Sequence, residues 1–303
     1  MAGGADSNRA ILFALGANFA IAVAKGVAAF VTGSSAMLAE TVHSLADSGN
    51  QLLLLLGLKR AEIPPSPDYP LGHGKAIYFW SFLVAVMLFT VGGMFSLYEG
   101  VHKLQHPQPL KQWWWAAGVL VFAIVAEGVS LRACLQEINK VRGDRTLWQW
   151  FRQSRQAELV VIFGEDLAAL LGLVFALFAV MLTVVTGNPL WDAIGTVAIG
   201  ALLIIVAVFV AIEVKAMLIG QGVDPARQVQ MEQFLDGRPE VSRVISLITL
   251  QLGNDVMVSV QARMREAVSA PVLIAEINAV EAAMKQAFPE VLWSFFEPDD
   301  RAA

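Results

Sequence analysis

The sequence predicts a polytopic α-helical membrane protein with six transmembrane helices and a C-terminal α+β domain. Three features predict this fold class: few charged residues, recurring long apolar runs, and a change of composition near residue 223. Of the 303 residues, 56% are apolar and 16% are charged, whereas about 25% of the residues in an average soluble domain are charged. Lipid is therefore the expected solvent for most of the chain.

Six apolar segments follow one another in the first 219 residues. About 20 helical residues cross the hydrocarbon core of a bilayer, and each segment reaches that length. The segments lie near residues 10–32, 36–58, 77–102, 113–135, 158–186 and 190–219. Loops rich in proline, glycine or charge separate them. The four prolines between residues 64 and 70 exclude a continuous helix after the second segment.

Basic residues predict the orientation of these helices. The loops on one side of the membrane contain only Lys103 and Lys111, whereas ten basic residues lie at the N-terminus and in the loops on the other side. Under the positive-inside rule, both termini are therefore expected in the cytoplasm. As a separate expectation, the membrane is a bacterial inner membrane. The ten residues are Arg9, Lys59, Arg60, Lys75, Arg132, Lys140, Arg142, Arg145, Arg152 and Arg155.

The last 81 residues have the pattern of a soluble domain, because charge returns and no segment is long enough to span a membrane. We therefore divide the chain into a transmembrane domain, residues 1–222, and a cytoplasmic domain, residues 223–303. The predicted elements follow an α-β-β-α-β order, which is typical of a small α+β sandwich with its helices on one face. They cover residues 227–235, 241–252, 256–264, 271–288 and 291–296.

Charge and cysteine content exclude two classes of function. The formal net charge is -5 and no basic tail or stripe is present, so nucleic acid is not an expected partner. Cys134 is the single cysteine and lies among apolar residues, so the chain cannot form a disulfide within itself or a thiolate metal site of several cysteines. We interpret Cys134 as a residue of helix packing.

Ionisable side chains inside apolar helices are costly and indicate function. On the second helix, His43 and Asp47 are four residues apart, so one helical face presents an imidazole and a carboxylate about 6 Å from each other. On the fifth helix, Glu165 and Asp166 are adjacent in an otherwise apolar stretch. An imidazole combined with carboxylates suits Zn²⁺, Co²⁺, Fe²⁺ or Mn²⁺ better than Ca²⁺ or Mg²⁺, which prefer oxygen ligands only.

The two helices place these groups at one depth. His43 lies about nine residues in from the outer end of the second helix and Asp166 about nine residues in from the cytoplasmic end of the fifth, so at ~1.5 Å per residue both lie ~13 Å deep. An imidazole and several carboxylates at one level need a cation for charge balance. We therefore predict a metal site of His43, Asp47 and Asp166. The alternative is a structural cluster, in which a protonated His43 pairs with Asp47.

Glu165 is the candidate fourth ligand of this site. Successive helical residues are about 100° apart, so Glu165 and Asp166 cannot both point straight at the second helix. Glutamate has one methylene more than aspartate and reaches roughly 1.5 Å further, which favours a near-tetrahedral site completed by Glu165. Two alternatives remain open: water as the fourth ligand, or a protonated Glu165 bonded to another helix.

With these residues in place, the sequence resembles the cation diffusion facilitators, which are proton-coupled exporters of zinc and related metals. The C-terminal domain is similar to the metallochaperone-like cytoplasmic domain of that family. The resemblance implies a homodimer that works by alternating access. It rests on Asn18, Lys25, residues 32–35, His43 with Asp47, residues 70–74, Asp166, and the Trp-Asp-Ala-Ile-Gly stretch at 191–195.

The chain departs from the family pattern on the fifth helix. The family's usual histidine four residues before the aspartate is replaced by Ile162. The Glu165–Asp166 pair resembles a branch of the family that is related to a mitochondrial zinc transporter of animals.

The accessory sites of the family also differ. All four histidines precede residue 107, so the cytoplasmic domain lacks the histidines of a binuclear zinc site, and we expect its dimer to form without bridging metal. In the loop at residues 59–75, Asp68 and His73 remain of a secondary metal site that the family often has, although Tyr69 and Pro70 crowd the spacing. The alternative is a loop histidine that caps a helix.

Metal/proton antiport at this midplane site is the leading functional hypothesis. The cargo is expected to be Zn²⁺, with Fe²⁺, Mn²⁺, Co²⁺ or Cd²⁺ as alternatives. An intramembrane metalloenzyme is a second class, but the sequence has no His-Glu-x-x-His helix and no nucleophile motif. A scaffold or metal sensor acting through its cytoplasmic domain is a third class.

Overall fold

A computed structural model describes residues 7–32, 35–107, 113–265 and 269–300. Within the first two helices, the side chains at positions 29, 32, 35–40, 42, 43 and 46 also lie outside the description. The chain forms two compact units. The first comprises residues 1–59, 77–151 and 156–215, and the second comprises residues 60–76, 152–155 and 216–303. The division of the chain at residue 222 stays a prediction.

The first unit, which we call the membrane unit, is helical, as the apolar segments predict. Five helical stretches of the described residues are long and apolar enough to cross a membrane. The helix at the place of the remaining predicted span has 27 residues, and polar side chains lower its mean hydropathy. The elements are α1 (Ser7–Thr32), α2 (Ser35–Ala61), α3 (Ala76–Met87), a π-helical segment (Leu88–Met94), α4 (Phe95–Gln105), α5 (Trp113–Val141), α6 (Leu147–Gln153), α7 (Ala157–Thr186) and α8 (Leu190–Ile219). The predicted polytopic helical fold is confirmed.

Glycines allow α4 and α8 to approach closely. A Cβ atom added at Gly100 would lie 2.6 Å from Cγ2 and 2.7 Å from the backbone nitrogen of Val197, so no larger residue fits without a shift. At the same helix pair, Lys103 forms a salt bridge of 3.1 Å with Asp192 in the first turn of α8. Close backbone packing of this kind holds transmembrane helices together where no hydrophobic driving force acts between them.

A second set of helices, α1, α5 and α7, pack against one another. The first half of α7 is almost entirely buried, from Ala157 to Ala168, and this stretch contains both acidic residues singled out above. Two acids buried in an otherwise apolar helix indicate that polar groups lie between α1, α5 and α7.

The C-terminal elements follow the predicted α-β-β-α-β order. The strands are β1 (Val241–Leu252), β2 (Asp255–Met264) and β3 (Val291–Pro298). Strand β1 pairs antiparallel with β2, and β2 pairs parallel with β3, so the sheet order is β1-β2-β3. Gly253, with φ 68°, makes the tight turn between β1 and β2, because only glycine adopts that conformation without strain. The two helices of this domain are α9 (Pro225–Asp236) and α10 (Ala270–Ala287).

This domain has a core of its own. Every second residue of β2 from Val256 to Val260 is buried. These valines form one cluster with Met231 of α9 and Met284 of α10. The alternation puts one face of the sheet against the two helices, which agrees with the predicted α+β sandwich.

Candidate metal centre

Two amide side chains of α2 hold the carboxylate of Glu165. Asn50 Nδ2 donates a hydrogen bond of 3.0 Å to Oε1, and Gln51 Nε2 donates one of 2.8 Å to Oε2. Asn50 and Gln51 follow Asp47 by three and four residues, so all three share one side of α2. Glu165 therefore faces the helix that carries His43 and Asp47.

Asp166 faces a different helix. Its Oδ2 accepts a hydrogen bond of 2.7 Å from Ser130 Oγ on α5. The angular offset between adjacent helical residues thus directs one carboxylate of α7 toward α2 and the other toward α5. Both acids are buried, at 5% exposure for Glu165 and 1% for Asp166, so each depends on its hydrogen bonds instead of water.

A further acid, Glu127 of α5, belongs to the same cluster. It is buried and interacts electrostatically with Asp47, Glu165 and Asp166, and also with Lys25 of α1. Three carboxyl groups and one ammonium group of the described residues therefore lie near enough to act on Glu127. Charges in a membrane interior need compensation. An excess of carboxyl groups is a setting that binds protons or a cation.

His43 lies on α2, but its side chain is outside the described residues. The described side chains include no group of three His, Cys, Asp or Glu residues placed to hold a metal ion. The assignment of His43, Asp47, Asp166 and Glu165 as ligands therefore stays a prediction.

The loop between α2 and α3 contains Asp68 and His73, the two residues of the predicted secondary site. The ring of His73 lies on that of Tyr69, with centroids 4.2 Å apart, and Asp68 is exposed. The backbone carbonyl of His73 accepts a hydrogen bond of 2.7 Å from Ala76 N at the start of α3. Asp68 and His73 as metal ligands stay a prediction.

The hydrogen-bond donors of the cluster, Asn50, Gln51 and Ser130, were not predicted from the sequence. Asn50 and Gln51 are 4% and 0% exposed, and Ser130 is 1% exposed. The sequence does contain an indication of Asn50 and Gln51. Amide side chains one turn away from a membrane aspartate are also costly in lipid and need hydrogen-bond partners.

Comparisons with known proteins agree with this architecture. A sequence profile of the cation efflux transmembrane domain matches residues 11–219. A Xenopus laevis protein named proton-coupled zinc antiporter SLC30A9, mitochondrial, is 36% identical over 224 residues, which are 73% of this chain and 40% of the relative. Metal tolerance protein C4 of Arabidopsis thaliana is 32% identical over 231 residues, 76% of this chain and 50% of the relative. Magnetosome protein MamM of Paramagnetospirillum magneticum is 30% identical over 132 residues, 41% of this chain and 40% of the relative. The chain thus matches half or less of the length of each relative.

Proposed function

Because the chain belongs to the cation efflux family, whose members are transporters and not enzymes, we propose that it exports Zn²⁺ in exchange for protons. The observation that carries the proposal is the pair of buried acids Glu165 and Asp166 on α7, which accept side-chain hydrogen bonds from α2 and α5 inside the membrane unit. Two relatives named for proton-coupled zinc antiport and metal tolerance support it.

The proposed metal site consists of His43, Asp47 and Asp166, with Glu165 as the fourth ligand. The hydrogen bonds that the side-chain amides of Asn50 and Gln51 donate support this role for Glu165. They keep its carboxylate beside α2, the helix that provides two of the other ligands. A ligating imidazole must be neutral and a ligating carboxyl group must be ionised. Protons and metal therefore compete for the same atoms, and a proton gradient can load the site from one side of the membrane and empty it on the other.

The wider arrangement is part of the same proposal. The chain lies in a bacterial inner membrane with both termini in the cytoplasm. It works as a homodimer by alternating access. The domain of residues 223–303 is the cytoplasmic module. Asp68 and His73 form a secondary metal site in the loop before α3.

Transport in lipid vesicles tests the proposal. Purified protein is reconstituted with a pH-sensitive dye inside, an acidic lumen is imposed, and Zn²⁺, Fe²⁺, Mn²⁺, Co²⁺ or Cd²⁺ is added outside. We expect zinc uptake together with a rise of the internal pH, and neither change in Asp47→Ala or Asp166→Ala, which lose ligands but little packing. Zinc uptake without proton movement would contradict antiport, and zinc uptake in either variant would contradict the site.

A further inference from the structure

A stripe of polar side chains runs along one face of α5. Glu127, Ser130, Cys134 and Glu137 follow one another at intervals of three, four and three residues, which keeps them within an arc of about 80° on the helix. Each is 3% exposed or less. The stripe therefore faces the interior between the helices along about 15 Å of the helix axis.

One end of the stripe is the acidic cluster. Ser130 donates a hydrogen bond to Asp166, and Cys134 interacts electrostatically with both Asp166 and Glu137. Glu137 lies seven residues beyond Ser130, about 10 Å further along α5. The stripe thus leads from the proposed metal site to the end of α5 that the proposed orientation puts on the cytoplasmic side.

The first turn of α1 contacts two acids at that end. Arg9 Nη1 lies 3.6 Å from Oε1 of Glu137, and Ser7 Oγ donates a hydrogen bond of 2.6 Å to Oε1 of Glu158 on α7. Lys140 pairs with the second oxygen of Glu137. Arg9 and Lys140 are 52% and 40% exposed whereas Glu137 is 1% exposed, so the two basic residues reach over the buried carboxylate from the outside.

Two buried acids, Glu137 and Glu158, lie at this end. Ionisable side chains buried in membrane helices are costly and indicate function. Glu158 lies eight residues before Asp166 on α7, about 12 Å along that helix. Both acids therefore lie where a cation approaching the cluster from this end first meets carboxylates.

We propose that Glu137 and Glu158 receive the incoming divalent cation, and that Ser7 and Arg9 of α1 form the gate that closes over them. This inference rests on the proposed function and on its orientation. In the conformation described, Arg9 and Lys140 neutralise the charge of Glu137. Ser7 donates its hydrogen bond to the carboxylate of Glu158. When the first turn of α1 moves away, the two carboxylates become available to the cation. The cation then passes Cys134 and Ser130 to reach Asp166.

Cys134 gives a direct readout of the gate, because it is the only cysteine of the chain and is fully buried on the stripe. The full-length protein in lipid vesicles is treated with N-ethylmaleimide, and the alkylation rate is followed by mass spectrometry. The test variant combines Ser7→Ala and Arg9→Ala. The matched control is Arg132→Ala, which removes a basic side chain from the exposed side of α5, and Cys134→Ser gives the blank.

We expect the double variant to be alkylated at least about tenfold faster than the unmodified chain, because the open state gains population. Arg132→Ala should stay within about twofold, as surface changes usually do. Cd²⁺ should slow the alkylation of the double variant, because the ion then occupies the stripe. An unchanged rate in the double variant, or a faster rate that Cd²⁺ does not slow, would overturn the proposal.

A second, independent measurement tests the proposal if the variant with Ser7→Ala and Arg9→Ala does not fold. Glu137→Gln combined with Glu158→Gln keeps the side-chain shapes and removes the charges. We expect the zinc concentration at half-maximal uptake to rise at least about fivefold, about 1 kcal/mol, with the maximal rate little changed. An unchanged half-maximal concentration would overturn the role of these acids. If the unmodified chain takes up no metal, the proposed function fails, whereas the alkylation rates still report on the gate.

Discussion

At the scale of single residues, the direction of each acid on α7 decides what it can do. The angle between neighbouring helical positions excludes that Glu165 and Asp166 both point straight at α2. In the structure Glu165 is the acid bonded to α2, whereas Asp166 is bonded to α5. The identity of those partners could not be predicted, because it depends on how three helices pack. Polar side chains such as Asn50 in an apolar helix indicate that a partner is needed, but they do not indicate which residue it is.

Glu165→Gln tests whether that residue ligates zinc. A neutral amide is a poorer ligand than a carboxylate, so we expect zinc binding to weaken at least tenfold, about 1.4 kcal/mol. Ile162→His in the same chain should restore part of the affinity, because position 162 shares the face of Asp166 one turn away. Titration calorimetry of the detergent-solubilised variants measures both effects. Unchanged affinity in Glu165→Gln would leave a three-residue site.

Ser130→Ala tests the hydrogen bond to Asp166. Its loss deprives a buried carboxyl group of a partner, and hydrogen bonds to charged groups contribute about 1.5–3 kcal/mol. We expect a lower thermal unfolding temperature in detergent. Ser81→Ala is the matched control, because Ser81 Oγ is also buried but has no hydrogen-bond partner in the described part of the chain. Equal unfolding temperatures for the two variants would show that the Ser130 bond is not stabilising.

At the scale of elements, the apolar segments located the membrane helices well but not all of their ends. The fourth segment was predicted to end at residue 135, whereas α5 continues to Val141. The length of an apolar segment reflects the thickness of the membrane. The helix continues beyond it through a more polar stretch in which Gln136, Glu137 and Lys140 have high helix propensity. The short helix α6 and the π-helical segment were not predicted, because neither has a hydrophobic period of its own.

The close contact of α4 and α8 predicts a strong effect of one methyl group. A Cβ atom at Gly200 would lie 2.7 Å from Leu97 N and 3.0 Å from Gly93 O, and backbone atoms cannot move aside independently. We expect Gly200→Ala to destabilise the chain by about 1–3 kcal/mol, the usual range for overpacking. Gly118→Ala is the control, since a Cβ there meets nothing within 4 Å. Thermal unfolding in detergent compares them, and equal stability would contradict the packing.

At the scale of the whole molecule, the two units differ in how far the sequence predicts them. The C-terminal strands were predicted almost to the residue, because alternation along a half-buried strand is a strong local signal. The membrane unit was predicted as a set of helices only. Its polar interior depends on contacts between residues more than 100 positions apart, such as Asn50 with Glu165, and no local pattern contains such contacts.

The C-terminal domain should fold independently of zinc. Its core residues all lie between Val223 and Val291, and residues 223–303 contain no histidine or cysteine. Expressed alone, this segment is expected to form a folded dimer whose unfolding temperature does not change when Zn²⁺ is added, because only a ligand that binds the folded state raises it. A rise of many degrees would show that its carboxylates bind the metal.

The central claim is that zinc and protons occupy the same buried carboxylate and imidazole groups. The most direct measurement is the number of protons released when zinc binds. Titration calorimetry of the solubilised full-length chain at neutral pH, in two buffers that differ in ionisation enthalpy, gives this number. We predict the release of about one proton or more per zinc ion, and a smaller release from Asp166→Asn. Zinc binding without any proton release in the unmodified chain would contradict the account.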